Sequence, residues 1–572
     1  FAGAIALALG GMLPVAATAE WTTRPDLDLT QSRLFYDRSQ GAFFVEARLV
    51  NTGPNALTGP LRILVESATL PILGADGTDA GREFFEVALD GPGLAPGERT
   101  DFVRVFMQRA GRVRPQLELR AEIDDAPFQL QLLHVADIDS TSATAALENV
   151  KGFSAFLECF RDETVCPAPA YPNTITLSSG DNWIPGPRYT AAADDSLAAL
   201  LGVPGAGRGD IGMLNAMGFQ ASALGNHELD EGPGDFVDII GVDGSWPGAQ
   251  FPYLSTNLDF TTDADTAPLV VADGLDAGVI PNSLAGWATV DVSGETIGVV
   301  GASTPSLGSI TSPGGIGIAP IGFDSTDPGD LDNLAAEIQP AVDALTARGI
   351  NKVILLAHMQ QIAIEQALAI RLRDVDIIVA GGSNTLLADG NDVLRPGDVA
   401  QGPYPIELTS ADGEPVLVVN TDGDYRYLGR LVSELSVDGL IDLDSLDTLV
   451  NGAYATAADR LNDFGLTAND ADPTVAAIAD DLLAVVQALD GNVLGLSDDA
   501  PVQLFAVYTS DTGFLSNQFI SPAGPDDGNF GDGPVDFGQA VPDPVTVAAD
   551  QLDGSAAGDK ATDTRPTTET PE

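Results

Sequence analysis

Residues 128–139 read FQLQLLHVADID, and this stretch decides how the middle of the chain folds. Apolar side chains dominate the run up to Val135, and two carboxylates, Asp137 and Asp139, follow directly. A short apolar run that ends in polar residues is typical of a buried strand whose carboxyl end opens into a loop. Residues 143–158 then carry a helical pattern, so the sequence predicts that strands and helices alternate from this point.

The same pattern of an apolar run followed by polar residues recurs further along the chain. TITL (174–177) precedes SSGDN, ASAL (221–224) precedes GNHE, VILLA (353–357) precedes His358, and IIVA (377–380) precedes GGSN. This alternation predicts a layered α/β domain, which we assign to residues 128–436. Loops that follow the strands of such a sheet gather at one edge of it, so their polar side chains should meet there. The side chains expected in this pocket are those of Asp137, Asp139, Asp181, Asn226, His358 and Asn384.

Before this domain, residues 20–124 have the pattern of an all-β unit. Runs such as FFVEARLV (43–50) alternate apolar and polar residues, and clusters rich in Gly, Pro and Asn separate them. We predict a β-sandwich of immunoglobulin-like type. Its sequence carries no catalytic triad, metal-ligand cluster or glycine-rich phosphate loop, so a spacer or docking role is expected.

The N-terminal residues and the cysteines indicate where the protein resides. Residues 1–19 form an apolar run that ends in Ala-Thr-Ala, the pattern of a secretory signal peptide cleaved after Ala19. We therefore expect a periplasmic or secreted protein. Cys159 and Cys166 are close in sequence and are expected to form a disulfide in such a compartment, with a two-cysteine metal site as the alternative. The run over residues 1–19 is too short and too rich in Gly and Ala for a membrane anchor, and no other stretch is long and apolar enough to span a bilayer.

The C-terminal sequence carries weaker signals. Residues 437–520 are interpreted as a reduced, partly helical region, with helices expected over residues 440–449 and 474–489. Residues 521–572 are rich in Gly, Pro and Asp and cannot bury enough apolar surface to fold, so a disordered acidic tail is predicted.

The charge balance of the chain is extreme. Its 26 Lys and Arg residues stand against 83 Asp and Glu, a net charge of −57. Such a surface repels nucleic-acid duplexes and anionic lipids, and it attracts divalent cations. Adaptation to salty water explains the charge equally well, so charge alone does not indicate catalysis. The sequence gives no indication of the oligomeric state.

The polar residues at the strand ends fit one kind of chemistry, hydrolysis assisted by a pair of metal ions. Two cations about 3.5–4 Å apart can share a bridging carboxylate, and carboxylates, Asn carbonyls and His supply the other ligands. The chain has three histidines, His134, His227 and His358, and all three lie in or beside the strand-end motifs. We expect His134, which lies within a strand, to have a structural role.

In this order, the motifs LLHVADID, LSSGDN, ALGNHELD, LLAH and VAGGSN resemble those of the calcineurin-like metallophosphoesterases. They are most similar to the exported 5′-nucleotidase and alkaline phosphatase-like group, and the resemblance covers about residues 128–436. It implies an α/β sandwich, two divalent cations, a small phosphorylated substrate and attack by a metal-bound hydroxide. The implied activity is hydrolysis of phosphomonoesters, with 5′-nucleotides as candidate substrates and phosphate scavenging as the physiological role.

The resemblance also implies a role for each matching residue. Asp137 would bind the first metal, and Asp181 would bridge both. Asn226 and His358 would bind the second metal, and Asn226 would also contact the substrate. His227 would act as an acid or charge stabiliser beside the phosphate, so Asp181 and His227 are the catalytic candidates.

The departures from the family pattern affect the metal ligands. Asp139 replaces a histidine of the first motif, and Gly382 and Asn384 replace the two histidines of the last. An oxygen-rich, nitrogen-poor set of ligands suits Mg²⁺, Mn²⁺ or Ca²⁺ better than Zn²⁺. Arg188 is either a phosphate clamp or a surface arginine.

Two other functions remain open at this stage. The glycine at position 382 favours a catalytically impaired binding protein of the same fold, whereas the acidic surface, the sandwich and the tail favour a surface or adhesion protein.

Overall fold

The computed structural model describes most of the chain. The described residues are 21–53, 57, 59–89, 93–124, 126–138, 143–162, 164–166, 168–492, 503–508 and 515–520. The predicted signal peptide (1–19), Asp139 and the predicted tail (521–572) lie outside the described residues.

Two antiparallel sheets built from residues 21–124 enclose one apolar core. Their strands are β1 (Trp21–Thr22), β2 (Leu27–Gln31), β3 (Phe35–Asp37), β4 (Ala42–Asn51), β5 (Leu61–Ala68), β6 (Ile72–Leu73), β7 (Gly77–Asp79), β8 (Arg82–Val87), β9 (Val103–Gln108) and β10 (Leu117–Asp124). One sheet has the order β1-β10-β5-β8-β7, and the other has the order β2-β4-β9-β6, with β3 paired to β4. Alternate residues of β4, Val45, Ala47 and Leu49, are buried in the shared core, as the period of two predicts. The immunoglobulin-like type of this unit stays a prediction.

The described residues between 126 and 492 form a mixed α/β unit. Its strands are β11 (Phe128–Val135), β12 (Thr174–Ser178), β13 (Ala221–Ala223), β14 (Tyr253–Leu254), β15 (Leu258–Asp259), β16 (Leu284–Ala285), β17 (Trp287–Val292), β18 (Glu295–Ser303), β19 (Gly317–Ile318), β20 (Val353–His358), β21 (Ile377–Gly381), β22 (Ile406–Thr409), β23 (Pro415–Val419), β24 (Tyr427–Leu435), β25 (Ile441–Asp442) and β26 (Gly452–Ala455), and a separate hairpin further along the chain pairs β27 (Gln503–Tyr508) with β28 (Leu515–Ile520). Its helices are α1 (Ala143–Arg161), α2 (Pro187–Ala191), α3 (Ala198–Leu201), α4 (Arg208–Ala216), α5 (Pro233–Ile240), α6 (Leu307–Ile310), α7 (Pro328–Thr346), α8 (Ile362–Ala369), α9 (Ala458–Asp463) and α10 (Pro473–Asn492).

Two large sheets stack face to face in this unit. The first has the order β16-β14-β13-β12-β11-β24-β25, with β26 on β24, and the second has the order β17-β18-β20-β21-β23-β22. One apolar core lies between them, and helices cover both outer faces. The α/β class predicted from the alternating pattern is confirmed.

Strand β11 illustrates why the apolar runs are nearly continuous. Leu130 and Leu132 belong to the core between the two sheets, whereas Leu133 and Val135 belong to the core beneath the outer helices. A strand that is covered on both faces needs apolar residues at successive positions rather than at every second one.

The segment after β24 completes the first sheet and its helical cover. The helix expected over residues 440–449 is wrong, because β25 there pairs antiparallel with β24. The second expected helix lies within α10, which packs against α1 and α4. Residues such as Val475 and Leu482 of α10 share the core of the first sheet's outer face.

Cys159, near the end of α1, and Cys166 form a disulfide bond. Among the described residues, no helix combines the length and the apolar character that crossing a bilayer requires.

The side chain of His134, in β11, is fully buried. Its imidazole lies parallel to the ring of Tyr404, and its Nε2 is 2.8 Å from the Tyr404 hydroxyl. It faces Gly429 on β24, where a side chain would overlap the imidazole. Burial lowers the pKa of His134 to about 3, so the folded protein holds it neutral, and this structural placement agrees with the role expected from the sequence.

Replacing His134 should change how stability depends on pH. Because the pKa in the folded state lies below the unfolded value of about 6.5, the unfolded chain gains a proton first as the pH falls. The free energy of unfolding of the parent should therefore fall, relative to His134→Gln, by about 2 kcal/mol between pH 7 and pH 5. Urea unfolding at several pH values measures the difference, and parallel curves for the two proteins would contradict the assignment.

Candidate metal centre

Five loops from two sheets meet to form the candidate site. Asp137, Asp181 and Asn226 follow β11, β12 and β13 of the first sheet. His358 ends β20, and Asn384 follows β21 in the second sheet. From the sequence, these side chains were expected at one edge of a single sheet. In the structure they come from adjoining edges of two stacked sheets.

The loops hold their polar residues in an unusual backbone conformation. Asp137 has φ 55°, Asp181 53°, Asn384 46° and Gln360 69°, all in the left-handed region. Non-glycine residues are strained there, and such strain persists only where surrounding contacts fix it. Residues of this kind are enriched at functional sites, and four of the eleven among the described residues lie here.

The imidazole of His358 lies at the centre of the cluster. Its Nδ1–H donates to the carbonyl of Ser179 at 2.7 Å, which fixes the ring and turns Nε2 towards the other ligand candidates. Nε2 lies 3.0 Å from Oδ2 of Asp181 and 3.2 Å from Oδ1 of Asn226. Neighbouring ligands about 2.1 Å from an octahedral cation lie about 3.0 Å apart, so this spacing fits one divalent ion.

Asp137 extends the cluster on the side of the second sheet. Its Oδ1 accepts a hydrogen bond from the N–H of Gly382 at 2.6 Å, and its Oδ2 accepts one from the N–H of Asn384 at 3.3 Å. Asp137, Asp181 and His358 each offer a ligand atom, and these atoms lie within 4.8 Å of one another. All three side chains are almost fully buried, and buried charges in proteins are paired with one another or coordinate metals.

The residues that depart from the family pattern have different placements. Asn384 is exposed and lies beside Asp137 through its backbone. Position 382 offers only its backbone N–H, which is bound to Asp137. Because Asp139 lies outside the described residues, its predicted ligand role stays a prediction.

His227 lies at the rim of the cluster with its ring orientation fixed. Its Nδ1 is 2.6 Å from Oδ2 of Asp230, and Oδ1 of Asp230 accepts a hydrogen bond from Thr311 at 3.0 Å. The backbone N–H of His227 donates to Oδ1 of Asp181 at 2.8 Å. The partly exposed imidazole can therefore exchange a proton at a defined place beside the buried ligands.

Glu228 was not predicted, although it organises the loops that carry the ligands. Its carboxylate accepts hydrogen bonds from the backbone N–H groups of Asp181 (3.0 Å), Asn182 (2.7 Å) and Gly225 (2.9 Å). The feature of the sequence that could have pointed to Glu228 is its position directly after GNH. Gln360 was also missed, and the feature that could have pointed to it is its position two residues after His358.

The buried charges shift one another's pKa values. Burial raises the pKa of Asp137 to about 6, whereas for Asp181 the nearby histidines outweigh burial and lower the pKa to about 2. Burial disfavours protonated His358, but the charge of Asp181 and the hydrogen bond to it raise the pKa to about 10. Burial, followed by the charge of Asp181, raises the pKa of Glu228 to about 8. A bound cation would favour the ionised carboxylates and the neutral imidazole.

Arg188 is buried rather than at the surface. Its Nη2 donates to the carbonyl of Ile138 at 2.7 Å, and its Nε lies 3.1 Å from Oδ1 of Asp210. Only 4% of the side chain is exposed. Nη2 and Nε therefore tie the loop after β11 to α4, while Nη1 has no hydrogen-bond partner among the described residues, and the phosphate-clamp role stays a prediction.

Sequence comparison relates the chain to 5′-nucleotidases. The 5′-nucleotidase of Bos taurus is 27% identical over 319 residues, 55% of this chain and 48% of that protein. That of Rattus norvegicus is 31% identical over 226 residues, 40% of this chain and 34% of that protein. The chain thus spans about half the length, or less, of the curated relatives it matches.

Other comparisons add little to this result. No family model matches the chain. The crystal structure of a 5′-nucleotidase precursor from Thermus thermophilus has a TM-score of 0.47 and 23% identity, over 66% of this chain and 62% of that chain. The predicted resemblance to 5′-nucleotidases of the metallophosphoesterase type is confirmed by the sequence relatives.

Replacing Glu228 should loosen the loops that hold the ligands. A glutamine offers one acceptor oxygen and an amide that only donates, so Glu228→Gln leaves a buried backbone N–H unpaired. At pH 9, where Glu228 is ionised, we expect a loss of about 1–3 kcal/mol in the free energy of unfolding. The matched control Glu231→Gln, in the same segment but only half-buried, should stay within about 0.5 kcal/mol. Urea unfolding followed by tryptophan fluorescence measures both, and equal stabilities would contradict this role of Glu228.

Proposed function

We propose that this protein is an exported, metal-dependent phosphoester hydrolase that cleaves phosphomonoesters, with 5′-nucleotides among its substrates. The observation that carries the proposal is the convergence of Asp181 Oδ2, Asn226 Oδ1 and His358 Nε2 at the spacing of neighbouring cation ligands. The similarity to 5′-nucleotidases supports the same reaction class.

The charges of the pocket support a requirement for cations. Asp137, Asp181 and Glu228 are buried close together, and Asp230 lies at the rim beside His227. A phosphate anion would be repelled by these carboxylates if no cation neutralised them. When bound, a pair of divalent ions neutralises charge on the phosphate oxygens and lowers the pKa of water to make a nucleophile at neutral pH.

We assign the residues of this chain to separate tasks. Asp181 would hold both cations, with Asn226 and His358 on one of them and Asp137 with Asn384 on the other. Asp139 would join Asp137 and Asn384 on the first cation, so that Asn226 and His358 bind the second. The oxygen-rich donor set favours Mg²⁺, Mn²⁺ or Ca²⁺ over Zn²⁺.

His227 would act on the substrate rather than on the metals. Asp230 fixes its Nδ1, so the other ring nitrogen can give a proton to the leaving oxygen or stabilise charge on the phosphate. Asn226, the preceding residue, would contact the phosphate as well as the cation.

The proposed setting is the periplasm or the exterior, where the enzyme would release phosphate for uptake. The apolar run over residues 1–19 and the disulfide between Cys159 and Cys166 support export.

The test is an assay of the full chain after removal of its metals. We expect no hydrolysis of 4-nitrophenyl phosphate or 5′-AMP by the metal-free protein, and recovery with Mg²⁺, Mn²⁺ or Ca²⁺ in preference to Zn²⁺. Asp181→Asn should lower kcat/KM by more than about 100-fold, beyond the range typical of residues that only support a ligand. The control Asp238→Asn makes the same charge change at an exposed position of α5 and should match the parent.

Several results would reject the proposal. Hydrolysis that no cation restores would leave a binding protein of the same fold, the function that the glycine at position 382 favours. An Asp181→Asn variant as active as Asp238→Asn would remove the bridging role.

His227→Ala should lose more activity with an alkyl phosphate than with 4-nitrophenyl phosphate, because a poor leaving group needs the proton more.

A further inference from the structure

We propose that Gln360 is a metal ligand of this chain and replaces the side chain missing at Gly382. The inference rests on the proposed function and extends it, because it assigns the second cation a ligand that the sequence motifs do not indicate.

The amide of Gln360 already lies among the proposed ligands. Its Nε2 is 3.0 Å from Nε2 of His358 and donates a hydrogen bond to Oδ1 of Asn226. The terminal amide of Gln360 thus joins the same small group as the atoms proposed to bind one cation. Gln360 lies in the loop that follows β20, two residues after His358.

The same amide fills the space that a side chain at position 382 would need. Gly382 has φ +81°, and a Cβ built there would overlap Nε2 of Gln360 and lie 2.9 Å from both the backbone nitrogen of Gln360 and Nε2 of His358. A histidine at position 382 is therefore incompatible with Gln360 in this conformation. The two positions are alternatives for one space, which explains how the last motif can lack its histidine.

An amide is chemically suited to this role. A half-turn about the last side-chain bond of Gln360 exchanges its nitrogen and oxygen and brings Oε1 to the place that Nε2 occupies. An amide oxygen is a ligand that hard cations such as Mg²⁺, Mn²⁺ and Ca²⁺ accept. The left-handed backbone of Gln360, φ 69°, holds the side chain in this direction.

A titration of metal binding tests the assignment without relying on activity. The full, metal-free chain and its variants are titrated with Mn²⁺, and the free ion is followed by electron paramagnetic resonance in high salt, which screens the acidic surface. We expect two bound ions in the parent, and in Gln360→Leu a dissociation constant for one of them weakened by at least about tenfold. Gln360→Glu, which keeps an oxygen at this place, should bind both ions at least as tightly as the parent.

The neighbouring glutamine supplies a matched control. Gln361 is exposed and makes no side-chain hydrogen bond to the start of α8, so Gln361→Leu should bind like the parent. Thermal unfolding without metal should give Gln360→Leu a midpoint close to that of the parent, since the proposed defect is in ligation rather than in folding.

The outcomes separate this proposal from the proposed function. Two tightly bound ions in both the parent and Gln360→Leu would overturn the ligand role and leave the hydrolase proposal intact. Gln360→Glu binding as weakly as Gln360→Leu would also overturn it. A parent that binds no Mn²⁺ at the cluster would reject the ligand role together with the hydrolase.

Discussion

The contact between Asp181 and His358 joins the two halves of the site. Asp181 follows β12 in the first sheet and His358 ends β20 in the second, and their side chains meet at 3.0 Å. Ser179 adds two further links across the same boundary, since its carbonyl accepts from His358 and its hydroxyl donates to the carbonyl of Val379. The stacking of the two sheets therefore determines whether a cation can be bound at all.

This arrangement places opposing electrostatic demands on the fold. The buried carboxylates are costly without a counter-charge, and in the metal-free state protonated His358 and backbone N–H groups supply it. A divalent cation would supply this counter-charge instead, and His358 would then release its proton. The same carboxylates that make the pocket unfavourable for phosphate alone would make it favourable for phosphate with metal.

Much of the central domain could be predicted from the sequence because its strands are buried on both faces. Apolar runs such as that of β11 are then nearly continuous and end abruptly in the residues that form the site. The sequence did not reveal that these strands belong to two sheets. The pair β17 and β18, which forms one side of the second sheet, was not recognised, and the order of strands depends on long-range packing rather than on local pattern.

The site shows a similar limit. Asp137, Asp181, Asn226 and His358 were predicted from their positions after strands, and the structure brings them together. Glu228 and Gln360 were not predicted, because their roles depend on which backbone N–H or neighbouring side chain they meet in three dimensions. Arg188 was predicted to be a phosphate clamp or a surface arginine, and its burial against Asp210 and Ile138, which contradicts the second alternative, is visible only in the folded chain.

The central claim, that the loops of two sheets build one site for a pair of cations, is tested most directly by crystals of the full chain grown with Mn²⁺. Anomalous diffraction should give two peaks about 3.5–4 Å apart with the carboxylate of Asp181 between them. Peaks confined to surface carboxylates, with none at Asp181 and His358, would contradict the account.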